Sequence, residues 1–423
     1  MNYKCIDLKY GKLHLIQTKK FRSINIKILL KDEIKKEDIT KRNFLTDYLI
    51  LTTKKYKTKK ELALKIQELY SLYVSSYNTR VGSYLITRFN MSLLNPKYTE
   101  DSMLEESISL LHEIIFNPNV KNNQFDTKIF NILKHDILTE IETVKENPKL
   151  YSMIKMLENM DSSMPYAYHG YGYLEDLEQI NEKNLYAYYK EFLTRSLVDI
   201  YVIGDFEEEK MISLIKEKLN FKTLKKEKKN IYITHNKINK KIKKVIEDST
   251  FNQSKLAIGC KIKDLTDFER KYVINLYSMI LGGGFNSKFM QIIREKKSLA
   301  YYINSSVNKA DNLLLIQSGI SYQNFEKVIS NIQKIMKSIQ KGDIKELDLE
   351  DVKTEYLSIL EETYDNIDSI VENYIAADLL DLDDYETRKE MVKKVNINDI
   401  IQVSKKVQID TIFLLKGDTN EKD

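Results

Sequence analysis

A repeated order of local signals constrains this chain more than any single motif. Ile180-Asn181-Glu182-Lys183-Asn184-Leu185 leads through a helical stretch into Val198-Asp199-Ile200-Tyr201-Val202-Ile203-Gly204-Asp205. About 215 residues later, Val395-Asn396-Ile397-Asn398-Asp399-Ile400 leads in the same order into Thr411-Ile412-Phe413-Leu414-Leu415-Lys416-Gly417-Asp418. Each passage reads as a capped helix, a strand and a Gly-Asp turn, and recurrence at domain spacing predicts two similar halves. The length of 423 residues agrees, being too great for one ordinary core. Between the halves Leu224-Lys225-Lys226-Glu227-Lys228-Lys229-Asn230 and Lys240-Lys241-Ile242-Lys243-Lys244 flank a short strand-like Ile231-Tyr232-Ile233. A solvated charge run of this kind reads as an interdomain linker. The expected division is therefore 1–220, a linker at 221–244, and 245–423.

Within the first half, alternating strands near Leu13 to Ile16 and Ile24 to Leu30 precede a helix around residue 45 and a second from Thr58. Thr58 with Glu61 forms a capping box, and Leu62, Ile66, Leu69 and Tyr73 trace an apolar face. Tyr84 to Leu94 reads as strand, and Ser102 with Glu105 as the cap of another helix. Strands and long helices mix irregularly, which is an α+β pattern and not a doubly wound sheet.

The net charge of +5 is spread along the chain and argues against a nucleic-acid protein. Cys5 and Cys260 lack CxxC spacing and read as free thiols of a reducing compartment. With no signal-peptide core and no apolar run of membrane-spanning length, the expected address is the cytoplasm, away from any membrane.

Asn43-Phe44-Leu45-Thr46-Asp47 places two polar residues four apart on one helix face, with Thr46 on the turn between them. His, Glu and His in those places would make a zinc-hydrolase site. An Asn amide is a poor zinc donor, and Thr has no carboxylate to take a proton from water. The five histidines show no i,i+4 pairing that would replace the missing ligands. An oxygen-ligand site from Asn43, Asp47 and Glu140 would have few charges and no general base.

From Asn43 onward, NFLTDYLILTTKKYKTKKELALKIQELY resembles the pitrilysin or insulinase-like M16 metallopeptidases, whose equivalent segment carries HxxEH before a loop and an amphipathic helix. The resemblance puts Asn43 and Asp47 at the two His positions and Thr46 at the catalytic Glu. It brings Glu140, on the segment from Phe125-Asp126, to the third ligand position, and Leu133 to that of a supporting acid. By itself Glu140 reads as a surface residue of a charged helix.

In the second half, Leu281-Gly282-Gly283-Gly284-Phe285-Asn286-Ser287-Lys288-Phe289 leads into Ile293-Arg294-Glu295-Lys296-Lys297-Ser298-Leu299-Ala300-Tyr301. Glycines permit close backbone approach, Asn286 or Ser287 can cap the next helix, Arg294 offers a rigid fork of donors and Tyr301 a hydroxyl. Such groups can hold a peptide carbonyl or an oxyanion. Taken singly, Arg294 reads as a surface ion-pair residue and Tyr301 as a strand-face aromatic. The segment is similar to the Gly-rich turn and Arg/Tyr signature of M16 C-terminal domains.

The resemblance implies two homologous M16-type (LuxS/MPP-like) α+β domains, each a mixed, largely antiparallel sheet with helices packed on it. It implies a bacterial non-catalytic subunit that binds no cofactor itself and pairs with an HxxEH-bearing homologue carrying Zn. Arg294 and Tyr301 would act in trans on a peptide substrate, with Gly282, Gly283 and Gly284 lining its path. The alternative is a structural or peptide-binding scaffold with no part in catalysis.

Overall fold

The computed structural model describes residues 1–223, 230–235 and 241–418. The chain forms two compact units that are each discontinuous in sequence. The first gathers Met1–Glu142, His169–Asn230 and Ile367–Val371; the second gathers Thr143–Tyr168, Ile231–Asn366 and Glu372–Asp423. Residues 224–229 and 236–240 of the Lys-rich passage read as a linker lie outside the described residues. Ile231-Tyr232-Ile233 is described and is not a strand, although the Ile233 amide donates to the Ala310 carbonyl at 2.8 Å.

The strands are β1 Asn2–Leu8, β2 Gly11–Gln17, β3 Ser23–Glu33, β4 Tyr73–Val81, β5 Tyr84–Leu94, the short β6 Val120–Lys121 and β7 Gln124–Phe125, and β8 Leu197–Gly204. In the second unit they are β9 Lys243–Asp248, β10 Ser254–Ile262, β11 Tyr302–Asn308, β12 Leu313–Ile320 and β13 Val407–Lys416. The helices begin with α1 Ile39–Leu49, α2 Lys59–Glu68, α3 Met103–Phe116, α4 Thr127–Thr143, α5 Pro148–Asp161, α6 Leu174–Gln179, α7 Glu182–Arg195 and α8 Glu208–Lys218. They continue with α9 Ile274–Ser278, α10 Phe325–Gln340, α11 Glu346–Glu362, α12 Ile367–Leu380, α13 Tyr385–Lys394 and α14 Ile397–Lys406.

The first sheet has the order β1-β2-β8-β3-β5-β4 and the second, read in the same direction, β9-β13-β10-β12-β11. Beyond the extra edge strand β1 the two are one topology. The parallel pair β2 and β8 (Leu13 opposite Ile200) matches the parallel pair β9 and β13 (Val245 opposite Phe413), and every other pairing is antiparallel. This is the α+β architecture of mixed, largely antiparallel sheets under helices. Strand β3 is buried along nearly its whole length, which is why its sequence is apolar without strict alternation.

The repeat extends to side chains. Asn181 caps α7 through the Lys183 and Asn184 amides, and Asn396 caps α14 through that of Asp399. Each helix feeds a central strand whose buried aspartate, Asp199 or Asp410, pairs with a buried lysine, Lys31 or Lys261, on the antiparallel neighbour. Each strand runs into a glycine at its end, Gly204 or Gly417, with no room for a side chain. A Cβ on Gly204, where φ is +144°, would lie 2.9 Å from the Ser23 carbonyl oxygen, and one on Gly417 2.7 Å from that of Phe251.

Some local expectations change. Thr58 and Glu61 form the reciprocal capping box, but α2 ends at Glu68 and Tyr73 opens β4, so it is not part of that helix face. Ser102 stands at the start of α3 without capping it; its hydroxyl donates to Glu106 at 3.0 Å. The helix after the Gly-rich turn has no side-chain cap from Asn286 or Ser287.

Candidate functional site

Helix α1 carries the first set of candidate residues, and its placement is fixed from the residue just before them. Arg42 is fully buried. Its guanidinium reaches Asp32 on β3 at 2.5 Å, Thr87 on β5 at 3.2 Å and the Tyr188 hydroxyl on α7 at 2.9 Å, and lies 4.2 Å from the Phe192 ring centre. One side chain thus ties α1 to two strands and a helix. Asn43 and Asp47 are partly buried and Thr46 fully so.

Asn43 and Thr46 are joined by a residue that sequence reasoning missed. Asn78 of β4 donates to the Asn43 side-chain oxygen at 2.9 Å and to the Thr46 hydroxyl at 3.0 Å, and accepts from Thr87 at 2.6 Å. Asn43 donates to the Gly170 carbonyl at 2.7 Å, while the Thr46 hydroxyl donates back to the Arg42 and Asn43 carbonyls at 3.0 and 2.9 Å. The amide and hydroxyl that stand where a zinc site would have ligand and base are consumed in this network. Nothing in the local sequence pointed to Asn78, which lies on another strand.

Asp47 is different. The structure brings Glu140 of α4 close enough to act on its charge, so that burial first and the Glu140 carboxylate second push the Asp47 carboxyl up to about 7. Leu133, one helical repeat earlier, is core. Among the described residues no three His, Cys, Asp or Glu side chains are grouped so as to hold a metal ion. With Asn43 already bonded through both amide atoms, the set Asn43, Asp47, Glu140 offers two carboxylates and no imidazole. These residues do not fit zinc.

The second set lies in the second unit, where the backbone widens into π-type turns at Met279–Gly283 and Met290–Lys296. A Cβ on Gly282 would meet the Phe289 ring at 2.5 Å and the Ser305 amide nitrogen at 2.9 Å, so only glycine fits against β11 there. Gly283 is exposed and Gly284 buried. The Phe285 amide donates to Glu355 at 3.3 Å, and the Phe285 ring is left 87% exposed.

The following helix ends where Ser298 turns to φ +51°, the Ser298 amide donating to Arg294 O at 3.0 Å and the Leu299 amide to Ile293 O at 2.9 Å. Those two bonds, each one residue wider than in a Schellman motif, close the π-type helix and reverse the chain into β11. Arg294 therefore sits in the last helical turn and Tyr301 at the strand entry, its amide bonded to Gly319 O at 2.9 Å. Both side chains are exposed. Arg294 has no carboxylate partner among the described residues, only a 3.5 Å contact to Met290 Sδ.

The sequence compares with known proteins as this geometry does. Residues 179–356 match the family model described as the peptidase M16 inactive domain. The "Probable inactive metalloprotease YmfF" of Bacillus subtilis (strain 168) is 29% identical, over 97% of both chains. The "Uncharacterized zinc protease YmxG" of the same organism is 25% identical over 64% of this chain and 68% of its own. A conserved protein of Enterococcus faecalis V583, known from its crystal structure, superposes with a TM-score of 0.92 at 25% identity over the whole of both chains. With the fold, the amide-filled α1 and these likenesses taken together, the chain is an M16-like protein over residues 179–356 and is related along nearly its whole length to a protein described as a probable inactive metalloprotease.

Proposed function

We propose that this chain is the non-catalytic subunit of a two-subunit, cytoplasmic M16-type peptidase. A homologue bearing HxxEH would bring the zinc that activates water. This chain would contribute half of the chamber wall, with Gly282, Gly283 and Gly284 along the substrate path. Arg294 would polarise the scissile carbonyl, and Tyr301 would donate its hydroxyl to the oxyanion that forms when water attacks. The observation that carries this reading is the contrast in commitment: Asn43 and Thr46 are bonded into the fold, while Arg294 and Tyr301 face solvent with no charge partner.

The test is reconstitution of the full chain with the HxxEH homologue of the same genome. The pair is expected to cleave unfolded peptides and this chain alone to leave them intact. Arg294→Ala and Tyr301→Phe should each lower kcat of the pair by roughly 100- to 1000-fold, the usual cost of losing an oxyanion donor. Peptide cleavage by this chain alone would sink the proposal. The exposed Phe285 ring supports a second reading, a peptide-capturing scaffold. In that case Phe285→Ala would weaken peptide binding while Arg294→Ala left turnover unchanged.

A further inference from the structure

Residues 231–235, in the passage between the two repeats, are bound into the second unit by backbone and side chain alike. Ile231 and Ile233 are buried, Ile233 within an apolar cluster that includes Met156, Tyr166, Ala257 and Phe413. The Ile233 amide donates to the Ala310 carbonyl at 2.8 Å, and the Ile233 carbonyl accepts from Asn312 Nδ2 at 2.8 Å. The Tyr232 hydroxyl donates to the Leu380 carbonyl at 2.6 Å, and its ring centre lies 4.5 Å from the Arg270 guanidinium. His235 completes the set, with Nε2 at 2.8 Å from the Asp311 carbonyl oxygen and 3.2 Å from that of Asn312. Residues 310–312, in the turn between β11 and β12, therefore receive the segment at three successive positions.

One of these contacts depends on a proton. Both neighbours of His235 Nε2 are carbonyl oxygens, which only accept, so Nε2 carries the hydrogen and the neutral ring leaves Nδ1 as a bare lone pair. That Nδ1 is buried and has no hydrogen-bond partner among the described residues. A second proton would create an N–H there with no acceptor, on a ring that lies 5.9 Å from that of Tyr166. The charged groups that face the ring are Lys261 of β10 and Asp311 of the turn. Lys261 pairs with Asp410 at 3.2 Å, Asp311 accepts from Asn308 Nδ2 at 2.6 Å, and Arg270 donates to Asn312 Oδ1 at 2.5 Å. Burial first, and the Lys261 ammonium with it, outweigh the two carbonyls and the Asp311 carboxylate, and hold the imidazole below the usual histidine range.

We propose that residues 231–235 form a pH-sensitive clasp, latched onto the β11–β12 turn by neutral His235 and loosened when that ring takes a second proton in weakly acidic solution. Above about pH 6.5 the ring is neutral whether the segment is docked or free, and docking is at full strength. As pH falls through about 6.5 the free segment takes up the proton first. Docking then weakens by up to about tenfold per pH unit, until the docked ring is protonated too. The clasp thereby makes the hold of the second unit on this passage a function of pH.

The Ile233 amide reports the latch, because its bond to Ala310 is made only when the segment is docked. Hydrogen exchange of the full chain, corrected for the intrinsic rate at each pH, should show the Ile233 protection factor falling by up to about tenfold from pH 7.5 to pH 5.5. Amides of β12, which is paired on both sides by β10 and β11, should keep theirs. His235→Gln retains an N–H donor and removes the titration, so its Ile233 protection should not change with pH. Should that variant fail to dock at all, the histidine ring resonances of the parent decide. The chain has five histidines, and the signal lost in His235→Gln should titrate below pH 6.5 in the parent. Ile233 protection that is equal at the two pH values, a fall shared by β12, or a His235 ring titrating at or above pH 6.5 would overturn the proposal.

Discussion

Two arginines, each beside one of the two motifs, live in opposite surroundings. Arg42, one residue ahead of Asn43, is sealed among Asp32, Thr87, Tyr188 and Phe192. Arg294 stands on an exposed helical turn with a methionine sulfur for company. The same side chain holds a fold together in one unit and is left available in the other. Such a difference is what separates a motif that has become structure from one that can still meet a ligand.

The largest effect should come from Arg42. Arg42→Ala strands the Asp32 carboxylate, which keeps only the Ser196 hydroxyl at 2.7 Å and a distant Arg195 at 3.8 Å. Breaking a buried pair on one side costs about 3–5 kcal/mol, read as a lowered midpoint in urea unfolding. A loss below about 1 kcal/mol would mean that Arg42 is no more committed than Arg294.

Next comes Asp47, and here the sign depends on pH. Below about pH 3 its carboxyl is protonated in folded and unfolded chains alike and has no effect. As pH rises the unfolded chain ionises first, so stability falls until the folded carboxyl, held up to about 7, ionises too. Asp47→Asn should therefore match the parent near pH 3 and exceed it above pH 7 by about 3 kcal/mol. Equal denaturation midpoints at pH 8 would show that neither burial nor the Glu140 carboxylate holds the Asp47 carboxyl up.

The closeness of Asp47 and Glu140 can be turned around. Asn43→His with Asp47→His supplies two imidazoles beside the Glu140 carboxylate and leaves buried Thr46 alone. The variant should bind one zinc ion per chain by elemental analysis and gain about 2.7 kcal/mol of stability at a zinc concentration one hundred times its Kd. No zinc uptake would mean that the first unit has lost the ligand geometry as well as the ligands.

These residues also show where sequence reading stopped. The Thr58 box, the Asn181 and Asn396 caps and the two Gly-Asp turns are local, so spacing alone revealed them and the repeat they belong to. The side-chain partners are not local. Asn78 reaches Asn43 from a strand 35 positions away, and no periodicity marks it. Glu140 looked like any surface glutamate until a family resemblance aligned it, because its meaning lies in Asp47. Helix α5 crosses β10 and β13 of the second unit, where Gly259 leaves space for Met156 and Met160; a Cβ there would come within 2.5 Å of the Met156 sulfur. Gly259 and Met156 are far apart in the chain, and their fit is a matter of shape that composition does not carry.

The smallest predicted effect bears most directly on function. Arg294→Ala removes an exposed side chain whose polar contact is one 3.5 Å approach to Met290 Sδ, so stability should change by no more than about 0.5 kcal/mol. A residue placed for the fold would behave as Arg42 does, with its removal felt in every assay through unfolding. A residue placed for a ligand should be silent in thermal unfolding of the free chain and heard only when peptide and partner are present. Measuring Arg294→Ala first in isolation and then in the reconstituted pair separates the two cases. A destabilisation of about 2 kcal/mol in the free chain would show that the exposed unit, like the closed one, spends its arginine on structure.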